Sequence, residues 1–545
     1  MMKIHSFYAV LFLFLFPGSL PAVEIHKDLF YSQEDYAVGD NIRNPGKIGP
    51  IALGDVNGDG YDDLVMGAPY AIRMNQVDTG IAYVRFGLNF GAGTGFIQEK
   101  WYDLSTTYTQ TSDPTVSSVN FPDGHGRLGG AQINGEVAGQ RFGSEVACGD
   151  FDGDGIDDIA ISMAENLSPL VPGRVYVLKG RTDIAGTIDL AMERSLSRSF
   201  YITGRRNGDR FGEKLFFSDF NNDGKEDLVI GTPKGGDGGE VDVFYGRDFS
   251  PFFYQNVDSL PQPHTAFFAE NSGDELGWSF TEGDFTGDGL SDLCIGAPHY
   301  SAYSDDAGIV YMLQGTDDIA FQRGVVEIDE TTRTLKIVSN ASQEQLGFSL
   351  ASGDLNADGF LDLAIGAPTW GLDISRTRGC VYVLFNESDR FDITGSNLIV
   401  ITQDETRFLS QFDETMLGAK IAFFDLDHQY GPELLITAPE ASPHDRFLAG
   451  ESWVIQSRNP SLPFDPIYYY VQNYEMGLYI KGQESGDYFG SQIAVGDFNG
   501  DSCEDIFFTG GKGLNTFGKS AWGVFGGSSY KKTAIESPFW IQYDR

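Results

Sequence analysis

Asp55-Val56-Asn57-Gly58-Asp59-Gly60-Tyr61-Asp62-Asp63 is an oxygen-rich stretch set between two apolar runs, Ile51-Ala-Leu53 and Leu64-Val-Met66. The pattern returns at Asp150, Asp219, Asp284, Asp354 and Asp497, with a degraded copy at Asp425. Successive copies start 95, 69, 65, 70, 71 and 72 residues apart. A period near 70 residues, kept along the whole chain, means one supersecondary unit repeated seven times. It overrides the three or four domains that length alone suggests.

Repeat 2 shows the unit. Phe142-Gly143 leads into Ser144-Glu-Val-Ala-Cys-Gly149, then the loop Asp150 to Asp158, then the apolar run Ile159-Ala-Ile-Ser162. Gly173-Arg-Val-Tyr-Val-Leu-Lys-Gly180 reads as a third strand bounded by glycines, and Ser199-Phe-Tyr-Ile-Thr203 as a fourth. Four antiparallel strands per unit, seven times over, predict an all-β chain folded as a seven-bladed β-propeller. Blade cores are expected to start near residues 48, 142, 211, 276, 346, 417 and 489, within one domain spanning 23–545.

Two further motifs punctuate the units. Gly-Ala-Pro follows the second strand as Gly67-Ala-Pro69, Gly296-Ala-Pro298 and Gly366-Ala-Pro368, with variants Gly231-Thr-Pro233 and Thr437-Ala-Pro439. Proline cannot donate to a sheet ladder, so it ends that strand. Phe-Gly opens units at Phe142-Gly143, Phe211-Gly212 and Phe489-Gly490, and Leu-Gly does so at Leu276-Gly277, Leu346-Gly347 and Leu417-Gly418. On these motifs the chain resembles the FG-GAP repeat family, the units of the propeller at the head of integrin α subunits. Repeat 1 departs from the pattern: it has Ile48-Gly49 for the aromatic pair and an insertion within Gly91 to Gly135. The resemblance implies that an N-terminal strand, Asp28-Leu-Phe-Tyr-Ser32, closes the ring, with Phe539 to Tyr543 as its rival. It also implies that ligands bind the rim opposite the acidic loops.

The acidic loops have the chemistry of calcium sites. Calcium takes six to eight oxygens, and alternate carboxylates on a tight loop wrap it. Positions 1, 3, 5 and 9 would supply side chains and position 7 a carbonyl. Loop 1 offers Asp55, Asn57, Asp59, Tyr61 and Asp63, and loop 2 offers Asp150, Asp152, Asp154, Ile156 and Asp158. Loop 3 has Asp219, Asn221, Asp223, Lys225 and Asp227; loop 4 has Asp284, Thr286, Asp288, Leu290 and Asp292. Loop 5 has Asp354, Asn356, Asp358, Phe360 and Asp362; loop 7 has Asp497, Asn499, Asp501, Cys503 and Asp505, with Ser502 where glycine belongs. Loop 6 keeps neither the acid at position 5 (Gln429) nor the glycine at 6 (Tyr430), and is expected to hold no ion. An EF-hand would need Glu at position 12 and flanking helices. Position 12 is Met66, Ile161, Ile230, Ile295 or Ile365, each in a strand-like run.

Composition fits a calcium-stapled exported protein. The formal charge of −41 argues against nucleic acid and anionic membranes as partners. Four cysteines, Cys148, Cys294, Cys380 and Cys503, lie in different repeats and suggest free thiols, or at most one disulfide, rather than a disulfide framework. Met1-Met2-Lys3, the apolar stretch Phe7 to Phe16 and Pro17 to Ala22 read as a signal peptide over residues 1–22. Sequons stand at Asn166, Asn340 and Asn386. With dissociation constants of about 0.1–1 mM and roughly 1 mM free calcium, each site adds about 0.4–1.4 kcal/mol. Six sites would then match a domain's net stability in scale.

Partner contacts are expected on the opposite rim, where the loops carry Tyr70, Arg73, His299, Tyr300, Tyr303, Trp370, Arg376, Arg378 and His444. The functions in view are an extracellular protein-binding or adhesion module, a carbohydrate-binding propeller, and a propeller enzyme. No nucleophile-elbow, phosphate-loop or Cys-x-x-Cys motif occurs, and Asp427-His428 reads as decay of loop 6. Glycosylphosphatidylinositol-specific phospholipase D carries similar repeats after a separate zinc-dependent catalytic domain, for which the stretch before Asp55 leaves no room. The expectation is therefore a protein that is not an enzyme.

Overall fold

A computed structural model describes residues 22–24, 30–31, 49–71, 79–87, 102–103, 130–136, 138–164, 171–249, 255–257, 264–301, 304–316, 324–328, 333–371, 378–386, 391, 397–402, 405–426, 428, 430–443, 446–457, 469–471, 477–482, 485–510, 521–524 and 526. Structural statements below concern these residues.

Seven sheets form the seven blades of a β-propeller, as the repeat predicts. Blade 2 is representative: Val146–Gly149, Asp158–Ser162, Arg174–Leu178 and Ser199–Thr203 pair antiparallel in that order. The second strand is buried from end to end in every blade, as in Asp292–Ala297 and Asp362–Ala367. It is covered on both faces by neighbouring blades, which is why it reads as an apolar run rather than an alternation. The core is accordingly a ring of inter-blade layers. One such layer joins Val310, Met312 and Leu335 of blade 4 to Leu363, Ile365 and Tyr382 of blade 5.

Close backbone packing between blades explains the two motifs. A Cβ at Gly296 would stand 2.1 Å from the carbonyl oxygen of Gly347, the glycine of the next Leu-Gly pair. Gly67 meets Gly143, Gly231 meets Gly277 and Gly366 meets Gly418 in the same way. The residue before each Phe or Leu is left-handed (Arg141, Arg210, Glu275, Gln345, Met416 and Tyr488), so the chain turns sharply into its first strand.

Each sheet also carries a fifth strand, which the four-strand reading did not include. It runs parallel to the fourth and comes from the following unit: Gln255–Asn256 of unit 3 pairs with Ile202–Thr203 of blade 2, and Leu398–Ile401 of unit 5 pairs with blade 4. These strands are two to four residues long and offer too little alternation to read.

The N-terminal segment closes the ring, as the family resemblance implies. Ala22–Glu24 runs parallel to Tyr479–Lys481 as the fifth strand of blade 6. Phe30–Tyr31 is the fourth strand of blade 7, with Phe30 antiparallel to Ala521. Tyr102–Asp103, within the insertion of repeat 1, adds the fifth strand of that blade. The rival closing segment, residues 539–543, and residues 1–21 of the expected signal peptide lie outside the described residues. No helix among the described residues is long and apolar enough to cross a membrane. All four cysteines are free thiols. Asn386 is buried and donates to the Phe285 carbonyl at 2.9 Å, so its sequon is closed to glycosylation in the folded protein.

Candidate metal centres

The acidic loops all connect first and second strands, which places them on one rim. Each is built around its first aspartate, whose carboxylate caps the turn. In loop 2, Asp150 accepts from the backbone N–H groups of Gly153, Asp154 and Gly155 at 2.8, 3.0 and 2.8 Å. Asp55 and Asp497 do the same in loops 1 and 7, and Asp219, Asp284 and Asp354 cap positions 5 and 6 of theirs. The position-5 aspartates (Asp59, Asp154, Asp223, Asp288, Asp358, Asp501) accept from the N–H of position 7. Those position-7 residues are Tyr61, Ile156, Lys225, Leu290, Phe360 and Cys503, the expected carbonyl donors. At position 6 of loop 7, Ser502 is held at φ 71°, the strained conformation its side chain predicts.

The closing aspartates lie deepest. Asp63, Asp158, Asp227, Asp292, Asp362 and Asp505 are fully buried, and each accepts from a backbone N–H just past the third strand, as Gly180 donates to Asp158 at 2.8 Å. Burial, seconded by the other loop carboxylates, pushes Asp63, Asp158, Asp227, Asp362 and Asp505 up to about 8, and Asp292 to about 6. Burial and the neighbouring carboxylates both disfavour the ionised form, a condition that a bound cation would relieve.

Position 3 varies. Asn57 and Asn499 donate to the closing aspartates, whereas Asn221 and Asn356 donate to Asp223 and Asp358. The Thr286 hydroxyl is buried without a hydrogen-bond partner, and so is Oδ1 of Asp152. In loop 2 a carboxylate oxygen from each of Asp150, Asp152 and Asp158 falls within 4.8 Å of the others. Buried oxygens with free lone pairs, converging on one point, fit a hard divalent cation. In loop 6, Asp425 caps the N–H of His428 and also pairs with its Nδ1, both at 2.7 Å.

One group of residues escaped the sequence reading. At position 8, Asp157, Glu226 and Glu504 each accept from the position-1 N–H of the preceding blade, and Asp62 accepts from that of blade 7. These carboxylates stitch adjacent loops together. Their alternation with position 9 was visible in the sequence, but nothing local says that they point to a neighbour.

The opposite rim departs from expectation in part. Tyr70 is half exposed under the Arg141 guanidinium, 4.8 Å from its ring centroid. Arg378 pairs with Asp413 at 2.7 Å, His299 faces Asp306 at 3.3 Å, and Trp370 packs partly buried on the core. Tyr300 is not a rim contact: it is 4% exposed and fills the layer between blades 3 and 4. Arg73, Tyr303, Arg376 and His444 lie outside the described residues. Phe412 and Phe447, 60% and 65% exposed, are rim aromatics that the sequence reading passed over.

The model for the FG-GAP repeat matches residues 51–84, 142–178, 211–244, 276–313 and 346–384, one segment in each of blades 1–5. Integrin alpha-PS2 of Drosophila melanogaster is 27% identical over 54% of this chain and 19% of its own length. Integrin alpha-5 of Xenopus laevis is 29% identical over 42% of this chain and 20% of its own. The chain belongs to the FG-GAP repeat family of integrin-α-like propellers. Phosphatidylinositol-glycan-specific phospholipase D of Rattus norvegicus is also similar, 27% identical over 55% of this chain and 34% of its own length. The chain thus spans about a fifth to a third of the length of these relatives. The last match corrects the expectation of a protein that is not an enzyme: an enzyme is among its relatives, and an enzymatic reading stands beside a binding one.

Proposed function

We propose that the protein is an exported, calcium-stabilised propeller that binds an extracellular protein through the rim opposite its acidic loops, as an adhesion module does. The observation that carries the metal half is the set of six fully buried closing aspartates, set beside the carboxylates at positions 1 and 5. Asp150, Asp152, Asp154 and Asp158 of loop 2, and their counterparts in loops 1, 3, 4, 5 and 7, would hold the ions. Calcium would cancel carboxylate repulsion and so stiffen the rim, leaving the other rim to present its side chains. The exposed Phe412 and Phe447 support contact there, since large aromatics on a surface favour protein interfaces. The apolar segment Phe7 to Phe16 supports export.

Adhesion to cells, matrix proteins and immobilised glycans, compared with calcium and with chelator, tests the reading. Calcium-dependent binding to a protein surface that is lost on Phe412→Ala or Phe447→Ala is expected. Binding confined to glycans, or unaffected by both substitutions, would overturn it.

A further inference from the structure

Loop 2 differs from its sister loops in two residues that meet in space. Position 3 is Asp152, where the other intact loops have Asn57, Asn221, Thr286, Asn356 and Asn499. The residue just after the third strand is Lys179, where units 1, 3, 4 and 5 have Phe86, Tyr245, Gln314 and Phe385. The Lys179 ammonium contacts Oδ2 of Asp152 and lies 2.7 Å from Oδ2 of Asp154. In loop 4 the same place in the fold sends a neutral amide to the loop, with Gln314 Nε2 donating to Asp288 at 2.8 Å.

Of the ligand positions 1, 3, 5 and 9, three are carboxylates in each of the other intact loops, while in loop 2 all four are, with the Lys179 ammonium set against two of them. An ammonium on a flexible stem is a point charge that can occupy carboxylate oxygens and leave again. Asp152 itself is anchored: the Lys225 ammonium, paired with Asp248 at 2.9 Å, donates to its backbone carbonyl at 2.7 Å. Its side chain is 6% exposed, its Oδ1 has no hydrogen-bond partner, and it lies in the cluster with Asp150 and Asp158.

We propose that Lys179 is a tethered cation of loop 2, which neutralises Asp152 and competes with a divalent ion for the same oxygens. Loop 2 would then stay folded at ion concentrations too low to load it, and would fill last among the intact loops. The proposal rests on the calcium reading of the loops. Its test keeps the two apart.

Calcium isotherms and melting curves are recorded on the full chain for the parent, Lys179→Gln, Lys179→Arg and the pair Asp152→Asn with Lys179→Gln. Removing the ammonium should tighten the weakest binding step about tenfold, close to the water-screened scale of one unit charge at contact distance. The same variant should melt below the parent in chelator. Lys179→Arg should track the parent, and the double variant, with the charge of the sister loops, should return towards it in chelator. If calcium raises all melting temperatures but Lys179→Gln matches the parent in both isotherm and chelator melt, the role of Lys179 is refuted and the calcium reading stands. Lys179→Arg behaving like Lys179→Gln would also refute it, since charge would not be the cause. If calcium changes no melting curve, both fall.

Discussion

Asp62 of blade 1 accepts a hydrogen bond at 2.8 Å from the backbone N–H of Asp497 in blade 7, across 435 residues of sequence. The bond joins the first acidic loop to the last and completes on the rim of the acidic loops what Phe30 and Ala521 begin at the sheet. A closed ring has no exposed sheet edge at its seam, so the seam is where closure can fail first.

Asp62→Ala leaves the Asp497 N–H without its acceptor and should cost about 1–3 kcal/mol in urea unfolding. Asp62→Asn keeps an acceptor oxygen and should cost less than half as much. Equal effects of the two would show that charge rather than the hydrogen bond matters at the seam.

On the calcium reading, removal of divalent ions should lower the melting temperature by several degrees, since six loaded sites would together contribute about 2–8 kcal/mol. Asp158→Asn should reduce the calcium-dependent part of that shift by roughly one site's share. Differential scanning calorimetry with excess chelator measures both, and an unchanged melt would remove calcium as a staple.

The pH dependence has a definite sign. The closing aspartates have folded-state values raised to about 8 (about 6 for Asp292), above an ordinary value of 3.8. Glu226, at a blade seam, is raised to about 7 by burial. A raised value means that the folded state holds protons the unfolded chain has released. The stability this contributes is fully present below about pH 4 and is lost as pH rises through about 8. In chelator, melting temperature should therefore fall between pH 5.5 and 8.5. Bound calcium should offset the fall, because its gain grows as protons leave the same oxygens.

Between blades 2 and 3, Arg205 grips the buried Asp242 through two hydrogen bonds, at 2.8 and 2.7 Å, and pairs with Glu240 at 3.1 Å. Asp242 stands opposite Ile230, a place held by Tyr83, Tyr176, Tyr311 and Tyr382 in other blades. Arg205→Met strands a buried carboxylate and should destabilise by about 3–5 kcal/mol. Adding Asp242→Leu should recover most of that loss, and failure to recover would mean that the pair contributes beyond charge compensation.

Gly296→Ala puts a Cβ 2.1 Å from the Gly347 carbonyl, a backbone atom that cannot swing aside, so blades 4 and 5 must part. A loss of about 1–3 kcal/mol is expected. Gly289→Ala, at φ 84° with no atom within 4 Å of the added carbon, should cost only the backbone term of about 1–2 kcal/mol. Thermal unfolding of the two variants separates packing from conformation.

The repeat was legible because its signals are local. An aspartate at position 1 caps its own turn three to five residues on, and the apolar second strand is buried on both faces wherever it occurs. Tyr300 was misread for the converse reason: it lies in a rim loop by sequence, yet its ring turns inward to the layer under that loop. The fifth strands were invisible because two paired residues, such as Gln255 and Asn256, have no period.

The sequence alone determined the number of blades, the rim that carries the acidic loops, and which of those loops are intact, since each depends on residues within one unit. Tertiary structure decided the rest. It brought Ala22–Glu24 and Phe30–Tyr31 to the last two blades, aimed Asp62, Asp157, Glu226 and Glu504 at their neighbours, and set the Lys179 ammonium in loop 2. Those contacts join residues 25 to 491 positions apart. Their geometry follows from how twisted sheets pack around a ring, which no local pattern encodes.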